Sequence, residues 1–169
     1  VLEIGIGPGS NLKHYEQNKV EKIIGVDPST ELNKIAIKRA EKHNLTIEFL
    51  IESADNLSVP DNSIDTVVST YALCSIPNPS MTLKEIHRVL KPTGRFIFSE
   101  HGLAPDTSVS LIQNGIDFFY PKIAGGCHVN RDIESLLTQN LFRVEKLENI
   151  YLPGTQKFLG YNTWGSVST

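Results

Sequence analysis

The chain has 169 residues, of which 40% are hydrophobic and 21% charged, the balance of one ordinary globular domain long enough to bury a core. A net charge of -3 with scattered Lys and Arg offers no basic face for nucleic acid, and no apolar run approaches the roughly eighteen residues of a bilayer span. Cys74 and Cys127 are too few and too separated in sequence to suggest a disulfide framework or a zinc site, so no metal is expected and a reducing, cytoplasmic setting is the default.

Residues 1–4 read as an apolar strand that begins without Met, so a natural segment ahead of it is expected: a helix, a lid or a membrane anchor. Residues 10–18 follow as a helix. Ile- and Val-rich runs at 22–26, 46–51, 64–69 and 95–99 read as further strands. Between them, residues 29–43 place Leu32, Ile35, Ala36 and Ala40 on one helical face, and residues 79–90 carry the stripe Leu83, Ile86, Leu90. Asn78 before Pro79 starts that second helix, and the turn Lys91-Pro92-Thr93-Gly94 ends it. Such alternation predicts an α/β domain, a mostly parallel, doubly wound sheet with helices on both faces.

The last third changes character. Residues 108–120 and 131–139 read as helices, the second capped by Asn130. Residues 142–152 and 156–164 read as strands joined through Pro153-Gly154, with no room for a crossover helix, so they must be antiparallel neighbours. One domain, 1–169, accounts for the whole chain.

Gly5, Gly7 and Gly9 alternate directly after the first strand, where glycine permits a tight strand-to-helix turn and a close approach of backbone to ligand. A dinucleotide fingerprint needs Gly or Ala at the sixth position from Gly5, and Ser10 stands there instead. Glu3 is an acid inside an apolar strand and requires a cationic or donor-rich partner. Asp27 follows the strand Ile23-Ile24-Gly25-Val26, one strand-helix-strand unit after the glycines, where a carboxylate accepts hydrogen bonds from both hydroxyls of a ribose. Its simpler role is a turn or helix cap.

The segments VLEIGIGPGSN (1–11), IIGVDPS (23–29), ESADNLSVPDNSIDTVVST (52–70) and RVLKPTGRFIFSEH (88–101) together resemble the class I S-adenosylmethionine-dependent methyltransferases, within them the quinone-biosynthesis-like methyltransferase type 11 group. The run GGCHVNRDIESLLTQNLFRVEKLE (125–148) is similar, more weakly, to small methyltransferase-like proteins that act on alkyl thiols. The resemblance implies a Rossmann-like seven-stranded sheet of order 3-2-1-4-5-7-6 and S-adenosyl-L-methionine as cofactor, with S-adenosyl-L-homocysteine as product. It implies that Glu3 faces the amino acid end of that cofactor, directly or through water, and that Gly5, Gly7 and Gly9 hug its methionine and ribose. Asp27 would bind the ribose hydroxyls and Pro28 pack near the adenine. Ser53, Ala54 and Asp55 stand where the family contacts adenine, often through Asp at the first position. Ser53 accepts more weakly, leaving Asp55 or the Ala54 N–H to take over. Thr70 ends the fourth strand near the sulfonium.

Methyl transfer is an in-line displacement that positioning and desolvation accelerate, and a base is required only where the nucleophile must lose a proton. His101, at the end of the fifth strand, and His128, in the irregular region, are the candidate catalytic residues. His14, His43 and His87 fall on helices and read as solvated. Phe118, Phe119 and Tyr120 read either as an apolar acceptor pocket or as the core face of their helix. The expected partner is a small apolar or aromatic acceptor: a thiol, a phenol or quinone precursor, or an amine. Two rival readings are a cofactor-binding module without activity and a nicotinamide-dependent dehydrogenase, the latter disfavoured by Ser10 and the closing hairpin.

Overall fold

Apolar runs too short for helices become strands, and the helical stripes between them choose which face of the sheet to cover. The computed structural model describes all 169 residues. Its strands are β1 (Leu2–Ile4), β2 (Ile23–Val26), β3 (Ile47–Leu50), β4 (Ile64–Thr70), β5 (Leu90–His101), β6 (Arg143–Tyr151) and β7 (Tyr161–Ser168). They form one sheet of order β3-β2-β1-β4-β5-β7-β6. The first five strands are parallel and β7 runs antiparallel to β5 and β6, the order and closing hairpin that were expected. The helices are α1 (Thr30–Lys42), α2 (Pro79–Val89), α3 (Thr107–Ile116), α4 (Tyr120–Ile123), α5 (Ile133–Gln139) and α6 (Lys157–Gly160). None is long and apolar enough to cross a membrane.

Register follows from the pleat. Leu2 lies beside Ile24 and Val67, and Ile4 beside Val26 and Ser69, so one face collects Leu2, Ile4, Val67, Phe96 and Phe98. Leu83 and Ile86 of α2 and Leu137 of α5 complete that core, each burial contributing roughly 1.5–3 kcal/mol. On the other face α1 lays Ala36 and Ala40 over Ile23, Ile6 and Leu12. That face carries no helix over β4, β5 and β7, where Val68, Ile97 and Trp164 line an open groove.

Four local expectations are corrected. The helix expected over 10–18 is a single 3-10 turn, Leu12–His14, because the chain turns extended at Tyr15, a residue whose hydroxyl is drawn inward. The helix expected over 108–120 breaks after Ile116: Pro121 has no N–H and its ring clashes with the carbonyl four residues back, so α4 starts afresh with Pro121 in its first turn. Asp132, not Asn130, caps α5, accepting from the Ser135 N–H at 3.0 Å. The last strand begins only at Tyr161, after the short helix α6, and runs on to Ser168, because Val167 is a core residue opposite Phe96.

Candidate active site

The loop after β1 is built by its glycines. Gly5, Gly7 and Gly9 all take positive φ (64°, 51° and 76°), the left-handed region that side chains disfavour. A Cβ on Gly5 would sit 2.5 Å from Ala72 Cβ, and one on Gly9 would sit 2.6 Å from Leu12. Those two glycines permit close packing of the loop. Gly7 differs: the nearest atom to its would-be Cβ is 3.9 Å away, so its missing side chain keeps open space.

Asp27 ends β2 beneath this loop, buried. Its Oδ2 accepts from the Gly7 N–H at 2.9 Å and its Oδ1 from the Ser29 N–H at 2.8 Å. It therefore makes the turn expected of Asp-Pro, with Ser29 taking the cap of α1, and it braces the glycine turn. No cation pairs with it, and each oxygen keeps a lone pair for a further donor. Pro28 is exposed beside it. Across the crevice, the loop after β3 carries Ser53 and Asp55, whose side chains make no hydrogen bond within the chain, and buried Ala54. Glu52 closes that loop onto Ser58, and α2 pins it: Glu85 accepts from the Leu57 N–H at 2.8 Å while Arg88 donates to the Leu57 and Val59 carbonyls.

Glu3 is 2% exposed and has found its donors inside the chain. Asn11 Nδ2 donates to Oε1 at 3.0 Å and the Tyr15 hydroxyl to Oε2 at 2.8 Å. Asn11 also donates to Thr70 Oγ1 at 3.0 Å, linking the ends of β1 and β4. Burial pushes the Glu3 carboxyl up, against the pull of its two donors; burial and the neighbouring acid raise the Tyr15 phenol and keep it a donor. Asn11 and Tyr15 were missed as site residues, although an acid in an apolar strand signals that such donors must exist nearby.

Beyond β4 the chain makes a strained turn at Tyr71, a non-glycine with φ of 53° whose ring lies 4.6 Å from that of His101. Glu100, fully buried on β5, holds this turn: it accepts from the Ser69 hydroxyl at 2.7 Å, the Ala72 N–H at 3.2 Å and the Cys74 N–H at 3.1 Å. Burial pushes its carboxyl up, and those donors pull it back. Its signal was the period-two run Phe96, Phe98, Glu100, which places the acid on the inward face.

The two cysteines, 53 residues apart in sequence, meet here with Sγ atoms 3.5 Å apart. His101 Nδ1 lies 3.2 Å from Cys127 Sγ and 3.7 Å from Cys74 Sγ. The bond between the thiols draws Cys127 below its ordinary range and pushes Cys74 above. His128 does not join them: its Nδ1 faces Asp117 at 2.9 Å, and its main-chain N–H donates to the Cys74 carbonyl at 2.8 Å. Arg131 spans back to the Leu73 and Ile76 carbonyls. Gln113, buried on α3, accepts from the Ala104 N–H and donates to the Gly102, Val129 and Phe158 carbonyls, tying the segments after His101 and His128 together. Sequence reading passed over it, yet it stands on the stripe of Val109 and Ile116, where a polar residue must find internal partners. Phe118 and Phe119 are exposed and belong to no core cluster, while Tyr120 packs against the cysteines.

Residues 2–98 match the family described as a methyltransferase domain. The chain belongs to that family. It is 34% identical to the thiol S-methyltransferase TMT1A of Homo sapiens, over 90% of this chain and 64% of that protein. It is 28% identical to a ubiquinone/menaquinone biosynthesis C-methyltransferase of Rickettsia bellii, over 66% of this chain and 48% of that one. A SAM-dependent methyltransferase structure from Methanosarcina mazei superposes with a TM-score of 0.75 at 23% identity, covering 99% of this chain and 91% of that one. The chain spans just under two thirds of the thiol methyltransferases it matches.

The family's cofactor is S-adenosyl-L-methionine, and this methyltransferase domain has the features to receive it. The space over Gly7 is open, and the buried, cation-free Asp27 carboxylate retains acceptor capacity beside it. The crevice lies at the carboxyl ends of β1, β2 and β4, the expected place for a nucleotide ligand in an open α/β sheet.

Proposed function

We propose that this chain is the catalytic core of a methyltransferase whose acceptor is the sulfur of a small apolar thiol. When bound, S-adenosylmethionine supplies an electrophilic methyl group on a sulfonium. Asp27 receives the ribose hydroxyls; Gly5, Gly7 and Gly9 let the backbone approach; Ser53, Ala54 and Asp55 border the adenine, with Pro28 at the rim. Thr70, fixed by Asn11, lies toward the sulfonium, and Glu3 acts through Asn11 and Tyr15 rather than by contact.

The observation that carries the catalytic half is the His128–Asp117 pair. A carboxylate on Nδ1 at 2.9 Å sets the ring's tautomer and leaves Nε2, which has no partner within the chain, to accept a proton. A thiol, with an ordinary pKa near 8.5, is within reach of such a base. A thiol acceptor also accords with the thiol S-methyltransferase at 34% identity.

The test is an acceptor screen of alkyl thiols, phenols and amines with the full-length protein. Methylation of thiols alone is expected. Asp117→Asn should lower kcat about 10²–10⁴-fold with little change in KM, since general-base catalysis contributes on that order. Methylation of phenols or amines in preference to thiols overturns the thiol reading. Tight S-adenosylhomocysteine binding without turnover of any acceptor favours a binding module instead.

A further inference from the structure

Cys74, His101 and Cys127 are brought together from the loop after β4, the end of β5 and the loop after α4. Their approach is built. The Cys127 loop comes so near the Cys74–Ser75 turn that a Cβ on Gly126 would lie 2.9 Å from the Ser75 carbonyl oxygen, and Gly126 itself has φ of 89°. Gly126 N–H donates to the Pro121 carbonyl, and Cys127 N–H to that of Ala124, fixing the approach from the other side. Around the sulfurs lie Val129, Ile116, Tyr120, Ala124 and Leu159, an apolar wall, while His101 stays half-buried beside the exposed Tyr71.

The separations match those of ligands on one small ion. Zinc bonds of about 2.3 Å to sulfur and about 2.0–2.1 Å to nitrogen, at tetrahedral angles, set sulfurs about 3.8 Å apart and sulfur and nitrogen about 3.6 Å apart. The observed values are 3.5 Å between the sulfurs and 3.2 and 3.7 Å from each to His101 Nδ1. Two thiolates and an imidazole are a soft set that selects zinc over calcium or magnesium, and three protein ligands leave one position for a water or substrate. No carboxylate joins the three, and Glu100 on the same strand as His101 is committed to Ser69, Ala72 and Cys74.

We propose that Cys74, His101 and Cys127 form a zinc site whose fourth position, on the side of the half-buried His101 and exposed Tyr71, takes the sulfur of the incoming thiol. The second half rests on the thiol-acceptor reading; the first stands on geometry alone. On coordination the two cysteine thiols each release a proton to solvent, and the entering thiol passes its own to the His128 imidazole proposed above as base, so that a thiolate with a free electron pair is held at the metal. Nothing is oxidised or reduced.

The test uses the full chain prepared under reducing, metal-free conditions and titrated with Co(II). One Co(II) per chain is expected, with a sulfur-to-cobalt charge-transfer band and the intense visible bands of a tetrahedral ion, displaced by Zn(II). Cys74→Ser, Cys127→Ser and His101→Ala should each weaken Zn(II) binding by at least about 100-fold, the upper end of what loss of a supporting group alone does. Circular dichroism checks that each variant folds, and the unsubstituted protein decides the matter even if none does. No uptake by the unsubstituted protein, or a Cys74–Cys127 disulfide in protein isolated without added oxidant, overturns the site. Adding an alkyl thiol to the Co(II) form should raise the charge-transfer intensity, while the corresponding alcohol should leave it unchanged. An unchanged spectrum with thiol overturns the open position. Full-rate thiol methylation by metal-free protein overturns the metal's role while leaving the thiol reading intact; a metal-loaded protein that methylates only phenols or amines does the reverse.

Discussion

Replacing Gln113 by Leu removes the hub between the two histidine-bearing segments while nearly conserving volume. The Gln113 amide accepts from the Ala104 N–H at 2.9 Å and donates to the Val129, Gly102 and Phe158 carbonyls at 2.9, 3.1 and 3.3 Å. Leu leaves a buried N–H orphaned, at about 1–3 kcal/mol, and strips one donor from each of three carbonyls, which tolerate the loss better because each has a second lone pair. The sum expected is about 3–5 kcal/mol, since part of each loss is recovered by relaxation. For a chain of this length that lowers Tm by about 6–20 °C, at 2–4 °C per kcal/mol. Urea unfolding gives the free energy, and calorimetry with S-adenosylhomocysteine gives cofactor affinity. Affinity should change less than threefold, because Gln113 touches neither the glycine loop nor Asp27, whereas acceptor KM should rise. A stability loss under 1 kcal/mol, or a cofactor affinity that falls with an unchanged acceptor KM, refutes the assignment of Gln113 to the acceptor side.

Asp27→Ala should weaken S-adenosylhomocysteine binding by about 1.5–3 kcal/mol, or roughly 10–150-fold, measured by calorimetry; unchanged affinity removes Asp27 from the site. Gly7→Ala should stay folded, with about 1–2 kcal/mol of left-handed strain, yet lose cofactor, whereas Gly5→Ala should lower Tm sharply because its Cβ meets Ala72; equal Tm losses would contradict this division of roles. Glu3 and Glu100 have folded-state pKa values raised above their ordinary 4.5, so the folded state binds more protons than the unfolded one above that pH. Their contribution to stability is full below about 4.5 and is lost as pH rises through the folded-state values. Unfolding free energy measured against pH should therefore fall less steeply in Glu100→Gln than in the unsubstituted protein.

The parallel half of the fold was legible because each strand is an apolar run bounded by turn residues and each helix shows its stripe. The hairpin was legible from chain length: even the nine residues between β6 and β7, α6 among them, fall short of the dozen or so that a parallel crossover needs. Where reading went wrong, a tertiary demand had overridden local pattern. Residues 10–18 carry helix-compatible spacing, but Glu3 claims Asn11 and Tyr15 as donors and the chain bends to deliver them. Asn130 stood where a cap was wanted, and Asp132 took the position once Arg131 had reached the Leu73 and Ile76 carbonyls. The glycine turn and its brace were legible since Gly5, Gly7, Gly9 and Asp27 lie on one strand-turn-strand path. The pairing of Cys74 with Cys127 was not: it depends on two loops meeting, and the separation along the chain carries no trace of that.

Glu100 shows why stability and site geometry are joined here. The pleat of β5 forces its side chain to the inside after Phe96 and Phe98, and a carboxylate there must be supplied with donors or be neutralised. The donors available are the Ser69 hydroxyl and the N–H groups of Ala72 and Cys74, which the chain offers only if it turns sharply at Tyr71. That turn sets Ala72 against Gly5, closing the glycine loop, and sets Cys74 against His101 and Cys127. One buried acid thus fixes both the glycine loop and the Cys74–His101–Cys127 cluster, the proposed cofactor and acceptor sides. A substitution at Glu100 that kept the fold should disturb both together, which no residue on either side alone would do.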